Sequence, residues 1–276
     1  MIFLCHSKTQ ASVPRWNLIN AIGMHLVALL PKSFNELQKT LPFLSEKEKI
    51  FIGQIARKDR QYKWCSGRIL AKYLFLKQLY QSEKERTNSI QNVTIEDISI
   101  FSATAYEEID ILVEDGKKSR PIVYWRGIEQ KAGISLSYSD NYIAAVCSQN
   151  NVSGIDIEQI CERRPEFYAY SFTYLEQEFI NKLCKNSDQK VWLYTLHWTI
   201  KEAGLKASTD SSWNLWNLPA MEINLEGAEQ EIMSLYLCTS RIININARIK
   251  TARGYLGACL TVQQYNDRLV TTLHYE

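Results

Sequence analysis

The amino-acid sequence predicts an α+β protein built as two lobes. Three observations lead there. Apolar periodicity switches between the helical and the strand period several times along the chain. The coarse order of a strand, helices and strands is then run through a second time, with a boundary near Asn151. The composition, 46% apolar and 22% charged over 276 residues, is that of a folded protein of one large or two small domains. An N-terminal lobe is expected over residues 21–151 and a C-terminal lobe over residues 152–276, with residues 1–20 as an N-terminal extension.

The first core strand is expected in the apolar run Ile22–Leu30, which Pro31 ends. That run is far short of the roughly 20 residues needed to span a bilayer. No basic segment or small-residue cleavage site surrounds it, so a cytoplasmic location without membrane attachment is expected. Ser45-Glu46-Lys47-Glu48 reads as a helix start, with an N-cap serine and acids in the first turn. The helical pattern breaks near Arg57–Arg60 and resumes over 62–80, and the polar stretch 81–92 reads as a loop. The basic turn Gly116–Pro121 leads into a strand at Ile122–Trp125. Ile134–Ser139 alternates large with small polar residues, the pattern of a half-buried strand. Asp140-Asn141 turns, Tyr142–Cys147 returns, and Ser153–Glu158 goes out again. Two helices follow, at about 174–184 and 189–207, and the tail from about Met221 is strand-like.

Charge and cysteine content exclude some classes of function. The 32 basic and 30 acidic residues leave a formal charge of +2, too balanced to imply nucleic-acid binding, so any anion site must be built locally. The seven cysteines include no CxxC pair, which argues for reduced, mostly buried thiols and against a zinc site.

Two clusters carry the chemistry. Asp156 and Glu158 are two apart on an apolar strand, so both carboxylates share one face while Ile155 and Ile157 take the other. Like charges so placed repel unless something neutralises them, and a hard dication such as Mg²⁺ does so with oxygen ligands. The plainer reading is two ordinary surface acids. Farther along, Trp198-Thr199-Ile200-Lys201-Glu202-Ala203-Gly204-Leu205-Lys206 sits on a helix, with Trp198, Glu202 and Lys206 on one face. Its plainer reading is an exposed ion pair.

Together, Gly-Ile-Asp-Ile-Glu and the downstream Trp-x-x-Lys-Glu-Ala-x-x-Lys resemble the signature of the 4′-phosphopantetheinyl transferases, in the two-lobed form similar to surfactin-synthetase activators. Weaker marks agree. Arg60 followed by Lys63-Trp64-Cys65-Ser66-Gly67-Arg68 looks like the family's basic-aromatic helix, and Arg120-Pro121 like its basic-Pro turn. Glu176 stands where family members carry a Glu after a Phe-rich turn. Ser137-Tyr138-Ser139 stands where the family shows Ser-His-Ser. The resemblance implies two pseudo-symmetric lobes with the active site between them, in a monomer. It implies transfer of phosphopantetheine from coenzyme A to a serine of an acyl or peptidyl carrier protein, releasing adenosine 3′,5′-bisphosphate. Carried over residue by residue, it makes Asp156, Glu158 and Glu202 the ligands of Mg²⁺, and Glu202 and Lys206 the catalytic pair. Arg60, Lys63, Arg120, Ser137, Tyr138, Lys201 and Lys206 become the coenzyme A contacts. Lys201 reads equally well as a solvated side chain, Arg57 and Lys58 compete with Arg60 and Lys63, and Lys117 and Lys118 compete with Arg120. In relatives the histidine at the place of Tyr138 contacts the 3′-phosphate. A phenol offers a hydrogen bond there without charge, a loss of about 1 kcal/mol.

Two other readings stand beside this one. A carrier-binding module that keeps the fold with weak chemistry is motivated by Tyr138. An unrelated Mg²⁺-dependent nucleotide hydrolase would use the carboxylates but leaves the Trp198–Lys206 helix unexplained. His197 is expected to pack rather than react, and Trp213 and Trp216 to pack in a core.

Overall fold

The computed structural model describes residues 17–22, 25–29, 41–84, 103–112, 121–140, 142–148, 153–208, 215–238, 241–251 and 254–275. Among them, strands β1 (Asn17–Ile22), β2 (His25–Leu29), β3 (Ile109–Leu112), β4 (Ile122–Trp125), β5 (Ile128–Ser139) and β6 (Tyr142–Ser148) form a first sheet in the order β1-β2-β6-β5-β4-β3. Helices α1 (Glu46–Gln54), α2 (Lys58–Lys84) and α3 (Ala103–Glu107) belong to this lobe. A second sheet holds β7 (Ser153–Gln159), β8 (Glu222–Asn224), β9 (Ile242–Thr251), β10 (Gly254–Tyr265) and β11 (Arg268–Tyr275), in the order β7-β11-β10-β9-β8. Its helices are α4 (Pro165–Ser171), α5 (Tyr174–Leu183), α6 (Ser187–Ala207) and α7 (Glu229–Leu237). The fold is α+β with two sheets, as the sequence predicts.

Apart from β1, both sheets are wound by one path. A first strand (β2 or β7) is followed by helices, and four strands then bring the last one (β6 or β11) back beside the first. The likeness extends to side chains. In the first lobe Ser45 caps α1, accepting from Glu48 N at 3.3 Å, while Ser45 N donates to Glu48 Oε2 at 3.0 Å. Glu48 Oε1 also accepts from Ile111 N of β3 at 3.1 Å. Lys72 of α2 pairs with Glu48 at 2.5 Å and donates to the carbonyls of Phe43 and Tyr106. The second lobe repeats every part. Thr173 and Glu176 cap α5 reciprocally, Ile223 N of β8 donates to Glu176 Oε1 at 2.8 Å, and Lys201 pairs with Glu176 at 2.8 Å. Lys201 then donates to the carbonyls of Ser171 and Leu218. In each lobe one glutamate ties a helix start to a strand, and one buried lysine ties in a short helix and a 3-10 turn through their carbonyls. The capping box satisfies orphan helix donors, and the lysine neutralises a charge that could not otherwise be buried.

Strand alternation sorts the cores. On β5, Ile134 and Leu136 face the first core with Ile143, Ala145 and Cys147 of β6. The opposite face of β6, Ala144 and Val146, meets Ile155 and Ile157 of β7 and Val270 of β11 in a third cluster at the seam of the lobes. Ser135 and Ser137 of β5 reach β7 itself: Ser135 Oγ accepts from Ile155 N at 3.1 Å. Edge strand β7 thus has its outer backbone covered by the other lobe, and the small serines allow the close approach. At one end of the seam Arg268 Nη2 of β11 pairs with Asp140 Oδ2 at 2.7 Å, and its guanidinium lies over the Tyr142 ring.

The structure departs from the sequence reading in several elements. The apolar run at residues 22–30 is not one strand; β1 and β2 pair antiparallel as a hairpin closing at Ile22 and His25, and β1 starts at Asn17. Helix α2 continues into the polar stretch to Lys84, because good helix formers propagate a helix without an apolar face. The strand-like tail is interrupted by α7, which carries Glu229 and Glu231 in its first turn. Helix α4, started by Pro165 at its first turn, was not expected. No helix among the described residues is long and apolar enough to cross a membrane.

Candidate functional site

The site is set by how closely α6 lies on β7. Gly154, Asp156 and Glu158 face the helix, while Ile155 and Ile157 take the other face and pack against Ala144 and Val146 of β6. A Cβ at Gly154 would lie 1.9 Å from the carbonyl oxygen of Ala203 and 2.6 Å from the nitrogen of Ala207. Only glycine permits this approach, which is the structural reason for Gly in Gly-Ile-Asp-Ile-Glu. Strand and helix run in opposite directions, so Trp198 stands opposite Glu158 and Lys206 opposite Asp156, with Glu202 between them.

Asp156, 2% exposed, is the centre of the contacts. Its Oδ1 accepts from Lys206 Nζ at 2.7 Å and from Ser137 Oγ at 2.7 Å, and Lys206 Nζ also donates to Ser137 Oγ at 3.0 Å. One residue from each lobe and one from α6 therefore close a triangle across the seam. The other oxygen, Oδ2, is buried with no hydrogen-bond partner among the described residues. Burial, then the charge of Asp156, pushes the Glu202 carboxyl up to about 7, with Glu158 adding and Lys206 opposing. The influences on Glu202 include no hydrogen bond. Glu158 is likewise raised by burial and by Asp156, but Arg163 and Trp198 pull it back down. Its Oε2 pairs with Arg163 Nη2 at 2.6 Å, and its Oε1 accepts from Trp198 Nε1 at 3.3 Å. Two glutamates raised by burial and by one neighbouring aspartate are the electrostatic signature of acids crowded into a poorly solvated place.

The structure brings together Ser137, Asp156, Glu158, Glu202 and Lys206. It does not present Asp156, Glu158 and Glu202 as a finished ligand set: among the described residues, no three His, Cys, Asp or Glu side chains stand ready to hold a metal ion. Two of the three acids are already bonded to cations of the chain, Lys206 and Arg163. Among the described residues Asp156 Oδ2 and Glu202 have no such bond, and an unpartnered buried carboxylate oxygen beside a second acid suits a hard cation.

Other expected contacts fall elsewhere. Lys201 is fully buried in its pair with Glu176, so the expected phosphate contact is corrected: this lysine is structural. Adjacent helical residues point about 100° apart, and Lys201 turns into the core where Glu202 turns to the seam. Arg60 is exposed and Lys63 half-buried, and no hydrogen bond or ion pair ties either to the acids among the described residues. Arg57 pairs with Asp59 at 2.6 Å. Arg120, Lys117, Lys118 and Trp213 lie outside the described residues, as does the side chain of Trp216. Tyr138 leaves β5 on the face opposite Ser137. Its hydroxyl lies so close to α2 that a Cβ at Gly67 would be 1.9 Å from it. Tyr138 as a residue is 36% exposed, while burial pushes its phenol up to about 12 against the opposing charge of Arg68. The phenol is therefore neutral. The sequence reading missed Arg163; the only signal was a basic residue five positions beyond Glu158. A surface groove lined by Asn224, Glu226, Asn246 and Arg248 lies on the strands remote from β7 and holds none of these acids.

Fold and site together define a two-lobed α+β protein with an acid cluster at the seam, crossed by a lysine and a serine. Residues 153–259 match the model of the 4′-phosphopantetheinyl transferase superfamily. The matched segment, less than half of the chain, runs from β7 into β10 and contains Asp156, Glu158, Glu202 and Lys206. No curated protein matches the chain.

Proposed function

We propose that this chain transfers the 4′-phosphopantetheine arm of coenzyme A to a serine of an acyl or peptidyl carrier protein, as a two-lobed enzyme of the surfactin-synthetase-activator type. The observation that carries the reading is the meeting of Asp156, Glu202 and Lys206 with Ser137 at the seam, inside the segment that matches the superfamily. Asp156 and Glu202 would hold Mg²⁺, and Glu158 would join them once released from its own partners. When bound, the ion supplies neutralisation of the pyrophosphate charge.

In this reading the serine oxygen bonds to the β-phosphorus of coenzyme A. The bond from that phosphorus to the bridging oxygen breaks, and adenosine 3′,5′-bisphosphate leaves with the electron pair. Glu202 takes the serine proton. In the metal-free site the Glu202 carboxyl is pushed up to about 7, and a dication bound beside it would keep it ionised and able to accept the proton. Lys206 turns from Asp156 toward the pyrophosphate and stabilises the charge on the departing oxygen. Ser137 supplies a hydroxyl to a phosphate oxygen. Arg60 and Lys63, with Arg120, are the proposed cations for the nucleotide phosphates from the first lobe, and Tyr138 contributes a neutral donor.

One observation favours the second reading, a carrier-binding module with weak chemistry: the neutral Tyr138 where a cation would hold phosphate. A single experiment separates the two. Apo fatty-acid, polyketide and peptide carriers are incubated with coenzyme A and Mg²⁺ and examined by intact-mass spectrometry. The transferase reading expects the phosphopantetheine increment on a carrier, lost with EDTA and lost in Glu202→Gln. Carrier binding without the increment would establish the module instead.

A further inference from the structure

The acid cluster contains one cation that the proposed reaction does not use. Arg163 lies in the segment between β7 and α4. Its Nη2 is 2.6 Å from Glu158 Oε2, and its guanidinium packs over the Phe167 ring at 5.3 Å. The ring of Phe167 in turn meets Trp198 edge-on at 4.8 Å, and Trp198 Nε1 holds the other oxygen of Glu158. Both oxygens of Glu158 are thus engaged by side chains that pack together through Phe167, while Asp156 Oδ2 has no partner among the described residues. Arg163 is placed firmly: its backbone N donates to Tyr168 Oη at 2.7 Å. The side chains of the pair are 34% and 26% exposed, so water competes for the bond and it can be exchanged for a stronger one.

We propose that Arg163 is a positioning residue that holds Glu158 out of the ligand set and thereby sets the affinity of the site for a dication. This deepens the transferase reading and rests on its dication site. Without ligand the site offers two acids, Asp156 and Glu202; Glu158 becomes the third only when Arg163 is drawn off. Arg163 opposes the cation in two ways. It occupies the lone pairs that a metal would use, and it adds a like charge beside the ion. A guanidinium stays charged throughout the working pH range, so this opposition does not fade with pH.

The test is Mn²⁺ binding to the full chain, read as free Mn²⁺ by electron paramagnetic resonance without coenzyme A. Arg163→Met should tighten the Kd about two- to fivefold, the size expected for removing one partly exposed competing charge. Arg163→Lys, which keeps the cation, should stay near wild type. The decisive comparison is Arg163→Met made in a Glu158→Gln background, where the tightening should vanish, because there is no carboxylate left to release. Equal tightening in that background would reduce Arg163 to a diffuse charge and overturn the proposal, as would an unchanged or weaker Kd for Arg163→Met alone. Asp156→Asn separates the two levels of inference. If wild type and Asp156→Asn bind Mn²⁺ equally or not at all, the dication site itself falls. If Asp156→Asn abolishes binding while Arg163→Met changes nothing, only the role of Arg163 falls.

Discussion

His197 and Lys201 are neighbours on α6, both fully buried, and each turns a polar atom into the protein for a different reason. His197 Nδ1 pairs with the carbonyl of Leu193 at 3.0 Å, while its Nε2 has no partner among the described residues. Burial first, and the nearby charge of Lys201 with it, lower its pKa to about 4 against the bond to Leu193. The folded form therefore keeps a neutral ring where the unfolded chain, with a value of 6.5, takes up a proton. The stability this neutral ring preserves is complete above 6.5 and is lost as pH falls toward 4. From that difference about 2 kcal/mol should disappear by pH 5. Urea midpoints at pH 7.5 and pH 5 will show it: wild type should lose more stability than His197→Leu, and parallel losses would remove His197 from the account. Glu202 has the opposite sign, since its raised carboxyl favours the folded state as pH falls, so the histidine variant is needed to isolate its share. The histidine's packing role was legible from its place before Trp198. The fate of Lys201 was not. A Lys-Glu dipeptide on a helix has one residue on each of two faces, and nothing in the dipeptide says which face is the core.

At the scale of elements, the capping boxes of α1 and α5 do more than start helices. Each box glutamate also receives a strand N–H and a buried lysine from the next long helix, so helix start, sheet edge and helix middle are fixed by one carboxylate. Breaking such a pair leaves a charge buried without compensation, a cost of about 3–5 kcal/mol. Lys201→Met should therefore lower the urea midpoint strongly, and adding Glu176→Gln should recover part of the loss. A variant of normal stability but poor coenzyme A affinity would instead return Lys201 to the phosphate-binding role. The first box was readable in Ser45-Glu46-Lys47-Glu48, because its partners are close in sequence. The lysines were not, because Lys72 and Lys201 reach their glutamates only through tertiary packing. The close contact of β7 with α6 was equally hidden: Gly154 reads as any strand glycine until Ala203 lies across it.

For the molecule as a whole, the repeated strand path supplies the scaffold and the differences between the lobes supply the site. Both lobes carry the same strand path and the same buried glutamate–lysine pair, yet the residue after the lysine differs. In the first lobe it is Tyr73, 2% exposed in the core; in the second it is Glu202 at the seam. The first lobe instead contributes Ser137 from β5 and covers the edge of β7. The two-lobe order was visible in the sequence from periodicity alone, because strands and helices repeat in the same succession. The convergence of Asp156 with Glu202 was expected from the resemblance, whereas the engagement of Glu158 by Arg163 depends on a segment whose path periodicity does not describe. Mn²⁺ anomalous diffraction from crystals grown with coenzyme A tests the central claim most directly. The account predicts one peak at the seam, bonded to Asp156 Oδ2 and to the carboxylate of Glu202, with Lys206 Nζ moved from Asp156 onto the pyrophosphate. Coenzyme A bound at the seam with Lys206 still on Asp156 and no Mn²⁺ at Oδ2 would contradict it.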